Sequence, residues 1–328
     1  MTCANRVRSI SRVAMSNDKL QMTKSSMHRR EAIMKSIAVV VLVTAISLLY
    51  AGAGDAGAAF LKIPVDARVV GMGEAAAAYV DDASALYYNP AGLAKIEKID
   101  LLFMHSEWLL GMNHEYFAGA FAIEKIGTFG LSFNYWGAGT MPGVTIRGDT
   151  TYEFSMYDWT ANLGYARDFG KLDLGFGFKF LSEKNESLST WAVALDFGGM
   201  YDLPIKGLQA GISLSNIGTS LKLDQDSYAL PILLRFGWRY NFMNLGFAQD
   251  LIISNADDLG VALGAEYWIA EMMALRLGYR NGSDVDGLSG LRAGLGIALK
   301  GFGLDYGFAP YGKLGLTHRF SLSFKVIP

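Results

Sequence analysis

The chain has 328 residues, of which 51% are hydrophobic, 12% aromatic and only 18% charged, with 38 glycines, a single cysteine and a formal net charge of −2. That length allows one large or two ordinary soluble domains, yet the low charge and the abundance of Tyr (16) and Phe (19) are unusual for either. The net charge gives no electrostatic handle for nucleic acid. Cys3 lies in a segment expected to be absent from the mature protein, so the exported part needs neither disulfides nor a Cys-bound metal.

Residues 1–33 are basic and polar without apolar periodicity, and read as a mis-assigned or disordered N-terminal extension. At 34–53 the text changes: Lys35, an apolar core from Ile37 to Tyr50, then Ala51-Gly52-Ala53. A charged start, an apolar core and an A-x-A site make a secretory signal peptide cleaved after Ala53. Met34 or Met27 is the start codon on this reading; an uncleaved anchor is the alternative, although the core is shorter than the ~20 residues of a membrane helix.

From Ile99 onward, alternation with period two dominates. Phe129, Leu131, Phe133 and Tyr135 share one face, while Thr128, Gly130, Ser132 and Asn134 share the other. Leu172, Leu174, Phe176, Phe178 and Phe180 oppose Asp173, Gly175, Gly177 and Lys179 in the same way. About fourteen such segments follow one another, beginning near Ile99, His114, Ile126, Met156, Lys171, Thr190, Leu208, Ile232, Asn244, Val261, Met272, Leu291, Phe302 and Thr317. Tight connections such as Glu124-Lys125, Phe169-Gly170-Lys171 and Lys300-Gly301 alternate with longer ones such as Ser106–Asn113, Gly137–Ser155, Ser182–Ser189 and Asn216–Pro231. Short periplasmic turns and longer outer loops predict that rhythm. The expected fold is therefore all-β: a transmembrane antiparallel barrel of about 14 strands over 99–328, embedded in outer-membrane lipid, with a short N-terminal hatch over 54–98. Closure satisfies every backbone N–H and C=O where no water is available, and inward glycines leave room for a plug, a ligand or strand curvature.

Inward charges are of both signs: Asp158, Asp173, Asp196, Asp250, Glu266 and Asp305 with Lys179, Arg235, Arg239, Arg276, Arg280, Arg292 and Arg319. The mixture predicts an ion-pair network bracing the lumen rather than a single-sign ring selecting ions. Within the hatch, Asp81-Asp82-Ala83-Ser84-Ala85-Leu86-Tyr87-Tyr88-Asn89-Pro90-Ala91-Gly92-Leu93 reads as one short helix or turn. Asp82 or Ser84 caps it, and Asn89-Pro90 ends it because proline disfavours helix at the preceding residue.

Gly71-Met72-Gly73 follows no strand of a βαβ unit and so does not read as a nucleotide turn. Asp224-Gln225-Asp226 and Asp284-Val285-Asp286-Gly287 lack the ligand spacing of calcium loops and read as solvated turns. His105, His114 and His318 are scattered, so a Ser/His catalytic site has little support, no enzyme is expected and no cofactor is implied. Glu107-Trp108-Leu109-Leu110 on the first outer loop reads either as an apolar docking knob or as an interfacial anchor.

The stretch Gly71-Met72-Gly73-Glu74-Ala75, followed by the Asp81–Leu93 segment and Ala94, resembles the N-terminal hatch of FadL-type outer-membrane barrels, most closely their PorV/PorQ-like branch. Asp305-Tyr306-Gly307-Phe308-Ala309-Pro310-Tyr311-Gly312 and Leu314-Gly315-Leu316-Thr317-His318-Arg319-Phe320-Ser321-Leu322, after Gly287-Leu288-Ser289, resemble that branch's closing pattern. The last aromatic, Phe324, is followed by Lys325-Val326-Ile327-Pro328, a departure from barrels that end on an aromatic residue. The resemblance implies passage of hydrophobic molecules such as fatty acids, with Asn89, Pro90, Ala91, Gly92 and Leu93 as the moving part of the hatch. Within the branch it also implies the alternative of a type IX secretion shuttle that holds secreted cargo proteins at the cell surface.

Overall fold

The computed structural model describes residues 56–326 except 146, 187, 224 and 282–289. The expected signal peptide, Cys3, Asp224 and the Asp284–Ser289 motifs lie outside the described residues. Fourteen strands close into one antiparallel barrel. In chain order they are β1 (Ile99–Glu107), β2 (Asn113–Ile123), β3 (Gly127–Val144), β4 (Thr150–Asp168), β5 (Leu172–Asn185), β6 (Leu188–Asp202) and β7 (Leu208–Gly218). A two-stranded hairpin, β8 (Leu221–Leu223) and β9 (Asp226–Tyr228), stands outside the ring. The barrel resumes with β10 (Leu233–Phe242), β11 (Leu245–Ser254), β12 (Gly260–Ile269), β13 (Met273–Arg280), β14 (Leu291–Leu299), β15 (Phe302–Pro310) and β16 (Leu316–Val326). β16 pairs with β1 from Ile99↔Val326 to Glu107↔His318, which removes the last open edge.

The alternation read from sequence sets the two faces. Leu131, Phe133, Leu174, Phe176, Leu275, Leu277, Leu295 and Leu322 are exposed, and face lipid. Thr128, Ser132, Asn134, Thr160, Asn162 and Lys179 are buried on the inside. Tight connections at 124–126, 169–171, 243–244 and 300–301 share one rim, the end that the short-turn rule assigns to the periplasm. The other rim carries longer connections but also the tight β5–β6 hairpin, where Asn185 pairs with Leu188.

Two expected outer loops belong to strands. The Ser182–Ser189 connection is taken up by β5 and β6, whose pairing runs on to Asn185↔Leu188. Gly137–Ser155 is a continuation of β3 and β4 and not an outer loop: pairing runs on through Thr140↔Ser155 to Val144↔Thr150 after a shift at Gly137. Met141 and Phe154 sit opposite each other there, so cross-strand side-chain pairing continues past the length that spans a bilayer. The Asn216–Pro231 connection likewise carries the β8–β9 hairpin.

The described residues before Ile99 fill the lumen. Val65, Val69, Met72, Ala75, Ala76, Tyr79, Leu86 and Leu93 are at most 2% exposed and form one core with Leu102, Met104, Tyr116 and Ala248 of the wall. This hatch starts at the outer rim, where Ala56 bridges Ala229 and the Gly57 N–H donates to the Ala229 carbonyl at 2.9 Å. It ends at the periplasmic rim, where Lys98 leads into β1.

Candidate functional site

Glycines of the inner wall are the seats of the hatch. A Cβ added at Gly175 would come closer than 3.0 Å to the Pro90 carbonyl carbon, at Gly198 to Asn89 Oδ1, at Gly211 to the Ala77 carbonyl, and at Gly264 to the Met72 carbonyl. Gly278 faces the Gly73 nitrogen, Gly307 the Ala67 carbonyl, and Gly130 with Gly164 the Leu86 side chain in the same manner. Hatch backbone lies directly against wall backbone, an approach only glycine permits. Gly73 is doubly constrained: its φ is +67° and its own Cβ would meet the Leu263 carbonyl.

Asn89 holds the centre. It is fully buried; Oδ1 accepts from the Ala91 N–H at 3.1 Å, and Nδ2 donates to the Ala77 carbonyl at 2.5 Å and the Gly199 carbonyl at 3.4 Å. Its extended backbone (φ −154°) ends the turn Ala85–Tyr88, and Pro90 starts a 3-10 turn over Pro90–Lys95. Ala91, Gly92 and Leu93 lie within that turn, buried, and a Cβ on Gly92 would strike the Val80 carbonyl. Of the two expected caps, Asp82 acts and Ser84 does not: Asp82 Oδ1 accepts from both the Ser84 N–H and its hydroxyl, while Ser84 makes no side-chain cap. Asp82 reaches the Ser84 N–H from two residues further out, where its carboxylate also meets Arg68.

The inward charges form several separate ties between wall and hatch. Asp250 Oδ2 accepts from the Ala76 and Ala77 N–H groups, each at 2.8 Å, with Arg235 3.8 Å away; Arg235 also donates to the Glu74 carbonyl. Arg276 lies between Glu266 and Asp305, 2.6 Å from each, and the Tyr79 hydroxyl donates to Glu266. Arg239 donates to Asp81 at 2.8 Å and to the Tyr79 carbonyl, while Arg68 bridges Asp81 and Asp82. Glu74 has Arg280 at 3.6 Å and Arg292 at 3.7 Å. Asp173 pairs with Lys95 of the hatch, and Asp196 with Lys179 inside the wall. Two residues stand apart: Asp158 is in register with Glu183 rather than with a cation, and Arg319 has no carboxylate within 4.0 Å among the described residues.

Sequence reading missed Arg68, Tyr79, Asp81, Glu74 and Asn216. Apart from the Asp81-Asp82 pair the four hatch residues carry no periodic signal, because the hatch is irregular backbone, and Asn216 is set by a register shift in the wall. Asn216 sits at φ +65° where the β6–β7 register shifts between Leu195 and Phe197, and its N–H donates to Asp196 at 2.8 Å.

At the periplasmic rim a cavity of about 520 Å³ opens onto Arg68, Asp81, Asp82, Arg239 and Asp66. Asp66 is 1% exposed; Oδ1 accepts from the Arg68 N–H and Oδ2 has no hydrogen-bond partner among the described residues. Burial, with Asp82 and Asp305 alongside, pushes its carboxyl up from 3.8 to about 7, against the opposing pull of Arg68. A carboxyl raised in the folded state binds its proton more tightly there than in the unfolded chain. Its effect is therefore most favourable at low pH and is lost as pH rises from about 4 through about 7. Hatch protection from protease should weaken between pH 5 and pH 8, and Asp66→Asn should flatten that change; an unaltered pH profile in the variant would count against this assignment.

No family model matches the sequence, and no curated protein matches it. Solved structures do match in fold. The toluene transporter TbuX of Ralstonia pickettii is 12% identical with a TM-score of 0.57, covering 80% of this chain and 98% of its own. The toluene transporter TodX of Pseudomonas putida is 12% identical at 0.56, covering 80% and 99%. A FadL homologue of Pseudomonas aeruginosa is 11% identical at 0.52, covering 79% and 97%. A closed barrel of fourteen strands, filled by its own N-terminal segment and sheathed in apolar side chains, has the fold of the FadL-type outer-membrane channels.

Proposed function

We propose that this barrel passes small hydrophobic molecules across the outer membrane by displacement of its hatch. The observation that carries this reading is the seating of Ala67–Leu93 on wall glycines. The hatch is tied to the wall by side-chain hydrogen bonds and ion pairs and not by strand pairing, so a shift that gives up some of those ties frees lumen without breaking the strand ladder. An apolar cluster at the outer mouth supports it: Phe60 and Leu61 pack with Leu181, Ala192, Leu221 and Leu230 beneath the β8–β9 hairpin, a surface on which an apolar ligand replaces like with like. The broken β6–β7 register beside the hatch supplies the strand distortion that a lateral exit into the bilayer requires. The fold likeness to proteins described as toluene transporters agrees with the same reading. No arrangement on the outer connections among the described residues favours the secretion-shuttle role over transport.

Asn89→Ala tests the mechanism. It leaves the Ala77 carbonyl and the Ala91 N–H without their side-chain partner, at roughly 1–3 kcal/mol for each buried group left unsatisfied. The barrel ladder is untouched, so heat-shifted gel mobility should persist while uptake of labelled toluene and labelled oleate by whole cells rises severalfold. Uptake by the wild type with no change in Asn89→Ala would sink the hatch mechanism. No uptake by the wild type would sink transport itself.

A further inference from the structure

The outward face of β1 and β2 carries a His–Glu pair among apolar side chains. His105 and Glu115 stand opposite each other in the β1–β2 register, and His105 Nδ1 lies 2.7 Å from Glu115 Oε1. Both side chains are 48% exposed on the lipid-facing side. Outward positions elsewhere on the wall, such as Phe178 of β5, Leu277 of β13 and Leu295 of β14, are apolar. Ionisable groups on a lipid face are costly, and their presence points to a partner that meets them.

The surface around the pair is aromatic and hollow. Phe103 and Phe117 touch with ring centroids 4.8 Å apart. With Phe133, Leu304, Phe320 and Leu322 they line a groove of about 330 Å³ that His105 and Glu115 also border. At the outer rim the β1–β2 connection is divided. Trp108 turns inward, its ring 4.9 Å from the Arg319 guanidinium carbon, whereas Leu110 is 87% exposed. The connection buries one large apolar side chain and holds a second out in the open above the same two strands.

Two copies in one membrane stand the same way up, so a two-fold axis relating them runs along the membrane normal. An axis passing between β1 and β2 would exchange left and right while keeping height. His105 of each copy would then face Glu115 of the other, Phe103 would face Phe117, and Leu110 would meet its own counterpart. A patch of one sign would repel its own copy. This patch is self-complementary.

We infer that the β16–β1–β2 face joins two copies of this chain in the outer membrane, through crossed His105–Glu115 contacts beside a shared aromatic groove. The β6–β7 register shift lies elsewhere on the ring and stays open to lipid, so the pairing is independent of what the channel carries.

Native mass spectrometry of the wild-type barrel, released in nanodiscs directly from its own outer membrane, should give two copies per particle. With Cys3→Ser as background, a short bismaleimide should join Asn113→Cys, at the outer end of β2, to its counterpart in intact membranes. Leu259→Cys, 58% exposed between β11 and β12, should stay unjoined. His105→Glu or Glu115→Lys puts like charges across the axis and should lower the Asn113→Cys cross-linked yield about tenfold, the scale of a lost hydrogen bond to a charged group. Co-expression of the two variants restores opposite charges across the axis but not within either chain, and should restore the cross-link. That recovery separates pairing of copies from a structural role of the two residues inside one chain. If either variant lacks heat-shifted mobility, Leu110→Asp, outside the strand ladder, replaces it and should show the same loss. One copy per particle, equal cross-linking at Asn113→Cys and Leu259→Cys, or a different polypeptide in the particle overturns the pairing. Charge variants that cross-link like the wild type, or a mixture that stays apart, overturn it as well. None of these outcomes touches transport.

Discussion

Gly211→Val and Gly278→Val are each expected to unseat the hatch while the barrel stays closed. At Gly211 on β7 a new Cβ would lie closer than 3.0 Å to the Ala77 carbonyl oxygen and carbon, and at Gly278 on β13 to the Gly73 nitrogen and Cα. These obstacles are backbone atoms and cannot rotate away. Overpacking in a filled core costs about 1–3 kcal/mol when side chains can adjust; here the adjustment has to be a movement of the hatch. The strands themselves gain from a β-branched residue. Gly199→Val is the control, because its Cβ would point outward and meet nothing nearer than Ile212 at 3.5 Å. In planar bilayers the two inward variants should conduct ions well above the wild type, and their hatch should become cleavable by added protease. Wild-type conductance in both, with heat-shifted mobility intact, would refute the seating argument.

The second large effect is expected at Arg276, and it concerns the wall rather than the hatch. This side chain is 1% exposed and reaches from β13 to Glu266 on β12 and across β14 to Asp305 on β15. The crossing is open because position 296 is glycine, whose added Cβ would collide with Asp305 and the guanidinium. Arg276→Met leaves two carboxylates without their shared cation, and breaking a buried pair in this way costs about 3–5 kcal/mol. The Tyr79 hydroxyl bond to Glu266 does not replace the lost charge. The variant should lose its heat-resistant compact form at a clearly lower temperature, read as a rate at fixed temperature because barrels of this kind unfold irreversibly. Adding Glu266→Gln and Asp305→Asn removes the stranded charges and should restore most of that resistance. Failure of the triple variant to recover would mean that Arg276 acts through packing of its stem and not through charge.

The two variants separate the parts of the molecule that amino-acid order encodes in different ways. Alternation of side chains with period two is a local property, so it can be read along the chain. Phe129–Tyr135 against Thr128–Asn134 assigns lipid and lumen faces without reference to any other strand. The Asn89-Pro90 break is equally local, since proline restricts the residue before it wherever it occurs. Gly137–Ser155 reads as a loop from sequence because its glycines and Pro142 are turn-like singly; the pairing of Met141 with Phe154 across the hairpin keeps it a strand.

What only the tertiary structure decided are relations between residues far apart. The wall glycines look alike in sequence, yet Gly198 seats Asn89, Gly211 seats Ala77 and Gly278 seats Gly73, because closure of the barrel fixes which inner surface meets which bend of the hatch. The inward arginines look alike too. Arg276 finds two carboxylates on neighbouring strands, while Arg319, the same residue type on the same face, lies buried among neutral groups. The sequence determined by itself that the chain forms a lipid-facing barrel with an inner segment, since periodicity and turn spacing are local. Strand register and the path of the hatch decided which charges meet an opposite charge and which glycine meets which bend of the hatch, since both depend on contacts between segments that the chain order does not place together.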